Sequence, residues 1–328
     1  MPKFIRKISL RLANDSFERH TTWLEIFFDL TLAVIVVQLS DSLFKDLTPT
    51  GVLKCAALFL PSMWTWVSYT IFAARFDNND GFHWLMTFVI MFASIIMAIQ
   101  IPAALTINGA NGFAIGFLIS QLCVLLLYAK THLEQSAPRS ITTLYLIGFG
   151  LGTLCWFISL FAHGQIKFIF WSLGMLIYLV SPWLGRKKIL SQAPLDPVYI
   201  PERFGAFTII ILGQLLAATV YGLEFANWHL LSLMTSTIAF ILAIFIFAYY
   251  YRFIRTANYK CTLGSGQPYI YIHIPLIFSL IIISACVEVF IMQLLQTQKT
   301  IYVLFCFSIL LYVCSFYVMK KIAQEKLN

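Results

Sequence analysis

The chain has 328 residues, 60% of them hydrophobic and 11% charged, with a formal net charge of +8. Soluble domains carry about a quarter charged residues, and a soluble fold of this length cannot cover so much apolar surface, so the composition excludes an ordinary globular enzyme. In a chain this apolar, an excess of Lys and Arg belongs to cytoplasmic loops rather than to a nucleic-acid surface.

Residues 1–21 carry Lys3, Arg6, Lys7, Arg11 and Arg19 and read as a cytoplasmic tail. The apolar stretch that follows already holds Glu25 and Asp29 and has no small-residue cleavage site. Span one is therefore expected to remain as an uncleaved anchor. A spanning helix needs roughly 20 mostly apolar residues. Ten runs meet this requirement, at 22–41, 51–73, 83–105, 111–130, 141–162, 166–184, 203–222, 229–251, 269–294 and 300–319. Between them lie turn-forming clusters: Thr48-Pro49-Thr50-Gly51, Asp77-Asn78-Asn79-Asp80-Gly81, Asn108-Gly109-Ala110-Asn111-Gly112 and Gly264-Ser265-Gly266-Gln267-Pro268. The longest break, 185–201, holds Arg186, Lys187, Lys188, Pro194, Pro197 and Pro201. The slightest is His163-Gly164-Gln165, between spans five and six.

Charge supports this count. With the N-terminus inside, the outer segments hold only Lys45, Lys54, Lys167 and Lys299 of the 22 Lys and Arg residues; the other 18 fall on the cytoplasmic side. A wrong number of spans would scramble the alternation. The expected fold is all-α: one polytopic transmembrane bundle with both termini cytoplasmic. It divides into six spans over 22–184, a cytoplasmic loop at 185–202, four spans over 203–319 and a tail at 320–328.

The pattern has two readings: a parallel internal repeat with spans 1–4 matching 7–10 and spans five and six inserted between, or charged entries and terminal arginines of the kind common at any cytoplasmic helix end. Spans one and seven are entered by Glu18-Arg19 and Glu202-Arg203, and spans two and eight end in "YTIFAARF" and "FAYYYRF". Spans three and nine each begin near a histidine, His83 and His273. Such parallel repeats occur in transporters.

The ionisable residues inside the spans carry the chemistry. Glu25 and Asp29 are four apart, which puts both carboxylates on one helical stripe. At that depth they must face the bundle and be paired, hydrated or protonated. Arg203 is the first expected partner, with Arg75, Arg252 and His273 in reserve. The stripe reads either as a proton or cation site or as a structural ion pair. In span seven Gln214 lies deeper than Arg203. In span nine His273 and Glu288 share a face, but 15 residues separate them, about 22 Å of rise, so they cannot touch. GxSxG, phosphate-loop, HExxH and dinucleotide motifs are absent. The seven cysteines form no CxxC pair or Cys/His cluster. No cofactor or metal is expected.

"RHTTWLEIFFDLTLAVIVVQLS" resembles the first-helix signature of the bacterial low temperature requirement A family. "MWTWVSYTIFAARFDNND", "ERFGAFTIIILGQLL" and "YIHIPLIFSLIIISACVEV" resemble its later blocks, in the same order. The resemblance implies a multi-pass protein of the bacterial inner membrane associated with growth in the cold, without fixing a reaction. By position, the family's polar set falls on Glu25, Asp29, Arg75, Asp77, Glu202, Arg203, His273 and Glu288. The family ends its "ILG" block with Glu where this chain has Gln214. The leading expectation is transport or permeation of a small solute or ion, with proton coupling as one form. The alternative is a membrane-embedded lipid-modifying or envelope-maintenance protein. The lipid bilayer is the expected partner, and nucleic acid is not.

Overall fold

A computed structural model describes residues 9–10, 21–77, 80–106, 109–134, 139–185, 192, 196, 198–256, 266–292 and 299–324. The side chains of Asp77 and of residues 9, 10, 323 and 324 lie outside that description, as do Arg186, Lys187 and Lys188. The described residues form ten long helices: α1 Trp23–Lys45, α2 Pro49–Arg75, α3 Gly81–Gln100, α4 Ala110–Leu133, α5 Arg139–Ser159, α6 Ile166–Leu184, α7 Tyr199–Phe225, α8 Leu230–Thr256, α9 Gly266–Met292 and α10 Lys299–Gln324. All ten are long and apolar enough to cross a membrane. The only other pairing among the described residues is a two-residue antiparallel ladder, β1 Ser9–Leu10 against β2 Phe76–Asp77.

The turn clusters do their work at the helix ends. Pro49 opens α2 rather than preceding it: Thr48 Oγ1 accepts from the Gly51 N–H at 3.1 Å, and proline suits the first helical position because its missing donor would be idle there. A Cβ at Gly51 would come within 1.8 Å of the Asp46 carbonyl, so the turn needs glycine. Asp46, outside the spans, has its carboxyl held below the usual range by the Thr48 hydroxyl and then by Lys54. Asp80 is extended and caps α3, accepting from the His83 N–H at 2.9 Å. The slight break at 163–165 is sharp in three dimensions, because Gly164 has φ of +58° and turns the chain where a side chain would be strained. Asp196 caps α7, accepting from the N–H groups of Val198 and Tyr199 at 2.8 and 3.0 Å.

The chain divides into two compact units. The first comprises Met1–Ile35, Leu60–Ile200 and Lys260–Gln267, and so contains the start of α1, most of α2 and all of α3–α6. Its interior is aromatic. Trp156 and Trp171 stack with centroids 4.6 Å apart, Tyr128 and Tyr145 stack at 4.7 Å, and Trp64, Phe117, Phe149 and Tyr178 fill the space between. Helices α5 and α6 approach closely because Gly148, Gly152 and Gly174 leave room for Ser181, Tyr178 and Trp156. A polar seam joins α2 to α4, with Thr65 bonded to Ser120 at 3.2 Å and Gln121 donating to Ser68 at 3.4 Å. Hydroxyl and amide contacts of this kind hold helices together where both lipid and core are apolar.

The second unit comprises Val36–Phe59, Pro201–Tyr259 and Pro268–Asn328. It includes the second half of α1, the start of α2 and nearly all of α7–α10. Within it α9 is the most buried helix, while α8 and α10 leave broad apolar faces exposed, among them Ile238, Phe245, Leu310 and Val313. In a membrane-spanning chain such faces meet lipid. Gly222 of α7 packs on Ile291 of α9, where a Cβ would come within 2.8 Å.

Candidate functional site

Both acids of span one are interior: Glu25 is 1% exposed and Asp29 is inaccessible. Their surroundings differ. The Thr22 N–H donates to Glu25 Oε2 at 2.8 Å, and the Glu25 N–H donates to Thr22 Oγ1 at 3.3 Å. This reciprocal pair is a capping box, and it satisfies donors that the helix start would otherwise orphan. The other oxygen, Oε1, accepts from the Tyr199 hydroxyl at 2.7 Å. Glu25 thus has a structural task at the head of α1, one signalled by the Thr-x-x-Glu spacing.

Asp29 lies a turn deeper. Its Oδ1 accepts from the indole N–H of Trp66 on α2 at 2.6 Å. One turn further along α2, Tyr69 packs edge-on against Phe28 with centroids 4.7 Å apart. The Tyr69 hydroxyl then meets His83 Nε2 at 3.1 Å and Thr87 Oγ1 at 3.0 Å, both on α3. The first unit therefore gathers Glu25, Asp29, Trp66, Tyr69, His83 and Thr87 around the start of α1.

Arg75 is buried in the same unit. Its Nη1 donates to the Tyr145 hydroxyl at 2.8 Å, and its guanidinium lies 5.4 Å from the centre of that ring. Asp80 takes Lys130 of α4 on Oδ2 while its Oδ1 caps α3. The Asp77 backbone joins β2.

The second unit holds the remaining candidates. Arg203 is fully buried in the early part of α7, and Glu202 beside it is half-buried. The ring of Phe204, the next residue, packs on His273 with centroids 4.6 Å apart. His273 is inaccessible; its Nδ1 faces the Tyr269 carbonyl at 2.7 Å and its Nε2 the Tyr250 hydroxyl at 3.0 Å. Thr208 Oγ1 lies 3.3 Å from the same hydroxyl. Gln214 is buried, and its Oε1 has no hydrogen-bond partner among the described residues. Glu288 is half-buried near the C-terminal end of α9, within electrostatic reach of Asp41.

The groups that hold these side chains were not evident in the sequence. Trp66, Tyr69 and Tyr250 sit in apolar runs and suit interfacial belts, and Tyr199 sits in the break before span seven, yet in the structure all four are buried, Trp66 and Tyr199 donating to carboxylates and Tyr69 and Tyr250 bonded to imidazoles. Tyr and Trp serve in this way because each joins a large apolar body to one polar atom that must be satisfied when buried.

The sequence pattern of the bacterial low temperature requirement A proteins matches residues 20–328. The chain is also similar to the uncharacterized protein RA0937 of Rhizobium meliloti (strain 1021), with 26% identity over 222 residues, covering 60% of this chain and 53% of that one. It thus spans about half the length of that curated relative. No solved structure matches.

Proposed function

The chain belongs to the bacterial low temperature requirement A family, and we propose that it is a multi-pass ion-conducting or transporting protein of the cytoplasmic membrane, with Asp29 as the group that binds the coupled proton or cation. The observation that carries this reading is the inaccessible carboxylate of Asp29, held inside the membrane domain at 2.6 Å by the Trp66 indole. An acid within a span is costly to retain, and those that persist line ion or proton paths by default. Glu25 closes the helix cap, so the spacing that places two acids on one stripe assigns them different tasks. The cytoplasmic excess of Lys and Arg supports both termini facing the cytoplasm.

The test is flux into proteoliposomes, with an internal pH dye and a panel of monovalent cations and small anions. The full chain is expected to raise flux above protein-free vesicles. Asp29→Asn, which keeps the shape and the acceptor oxygen, is expected to give folded protein and abolish that flux. Flux at the protein-free level throughout the panel, or undiminished flux in Asp29→Asn, would overturn the proposal.

A further inference from the structure

The same arrangement of three side chains occurs once in each unit. In the first, the Tyr69 hydroxyl lies between His83 Nε2, at 3.1 Å, and Thr87 Oγ1, at 3.0 Å. In the second, the Tyr250 hydroxyl lies between His273 Nε2, at 3.0 Å, and Thr208 Oγ1, at 3.3 Å. All six side chains are buried. Each threonine also faces the carbonyl four residues back: Thr87 donates to His83 O at 2.8 Å and Thr208 to Phe204 O at 2.7 Å.

Proton counting shows what this arrangement permits. A hydroxyl has one proton to give and lone pairs to receive, and a carbonyl only accepts. His273 Nδ1 faces a carbonyl, so Nδ1 carries hydrogen. When the ring is neutral, Nε2 is bare and Tyr250 donates to it. When the ring is charged, Nε2 carries hydrogen and donates to the Tyr250 oxygen. In the structure Thr208 is placed to donate to the Tyr250 hydroxyl at 3.3 Å or to the Phe204 carbonyl at 2.7 Å; in the charged state its proton settles on the Phe204 carbonyl and Tyr250 turns its own proton to the freed Thr208 Oγ1. Both states of His273 keep these donors on acceptors, and only the Tyr250 and Thr208 hydroxyls rotate between them. A Tyr–His bond serving packing alone needs no second acceptor on the far side of the hydroxyl. Tyr69 and Thr87 provide the same arm to His83.

We propose that His273 and His83 are proton-exchange sites, one per unit, with Tyr250 and Tyr69 as rotating hydroxyls and Thr208 and Thr87 as the acceptors that stabilise the charged ring. The step forms an Nε2–H bond with a proton delivered by hydronium, which leaves as water; no electron is transferred. The proposal rests on the ion-transport reading only for its purpose. Charged and titratable groups flank both sites. His83 begins beside Asp80, which carries Lys130 of α4, and Tyr69 packs on Phe28, next in sequence to Asp29. His273 is enclosed by Tyr269, Tyr250 and Phe204, the last preceded by the buried Arg203.

The test uses the full chain in lipid nanodiscs with 15N-labelled histidine. Ring nitrogen shifts are followed from about pH 2.5 to 9 and assigned with His83→Gln and His273→Gln. Both rings are expected to take up a proton in this range, and neutral His273 is expected as the Nδ1–H form. Thr208→Val removes the acceptor that the charged state needs, together with the bond Thr208 donates to the Phe204 carbonyl or the Tyr250 hydroxyl. It should move the midpoint of His273 down by about one pH unit, the size expected for one lost acceptor at a buried donor. Thr208→Ser should restore the midpoint, and Thr87→Val should act likewise on His83 alone. Rings that stay neutral throughout, or midpoints that ignore the valine substitutions, would overturn the proposal. Because the titration needs no flux, normal titration with silent proteoliposomes would refute the transport reading and leave the exchange sites standing. Flux without titration would do the reverse.

Discussion

The bond between Trp66 and Asp29 is open to a quantitative test. Its length of 2.6 Å is shorter than the roughly 2.9 Å of neutral N–H···O pairs and fits a charge-assisted bond. Hydrogen bonds between helices in membrane proteins average about 0.6 kcal/mol in double-mutant cycles, whereas bonds to charged groups reach about 1.5–3 kcal/mol. Trp66→Phe removes the donor and part of a buried ring, so its total cost mixes the bond with a packing loss of about 1–2 kcal/mol. Asp29→Asn keeps an acceptor and removes the charge. The cycle through Trp66→Phe, Asp29→Asn and the double variant isolates the coupling. The expected coupling is about 1.5 kcal/mol, roughly a tenfold change in the folding equilibrium for each 1.4 kcal/mol. Reversible unfolding in mixed micelles, followed by fluorescence, measures all four corners. A coupling below about 0.5 kcal/mol, within the ordinary error of additivity, would refute the charge-assisted bond and the reasoning that fixes Asp29 in the interior.

Two further outcomes follow from the packing of the first unit. Gly152→Ala is expected to destabilise by about 1–3 kcal/mol, since its Cβ would come within 2.8 Å of the Tyr178 ring, whereas Gly150→Ala, with nothing within 4 Å, should be neutral or gain up to about 1 kcal/mol; thermal melts of both in the same detergent check the contrast. Asp80→Ala removes the cap of α3 and the partner of Lys130 and should cost about 3 kcal/mol. Asp80→Asn, which retains the cap, should cost less, and Asp80→Ala with Lys130→Met should cost less than the two separately; an additive double variant would show that the ion pair does not couple.

The sequence by itself determined the class, the family resemblance and the number of spans, because a bilayer demands an apolar run of fixed length and the turn clusters between runs are polar. It determined the interior position of Glu25 and Asp29, because carboxylates four apart must share a face and that face cannot meet lipid. It also placed the turn clusters that hold Thr48 and Asp80 between the spans, while their capping bonds, and that of Asp196, appear only in the structure. Tertiary structure decided what those acids touch. Tyr199 reaches Glu25 across 174 residues and Trp66 reaches Asp29 across 37, and no local spacing encodes such pairs. It also decided which aromatic residues line the lipid boundary and which act as buried donors. In a water-soluble helix the apolar stripe marks the inner face. In these spans lipid and core are equally apolar, so periodicity carries no inward direction. Which face of α2 or α8 turns Tyr69 or Tyr250 toward a histidine is settled only when neighbouring helices pack.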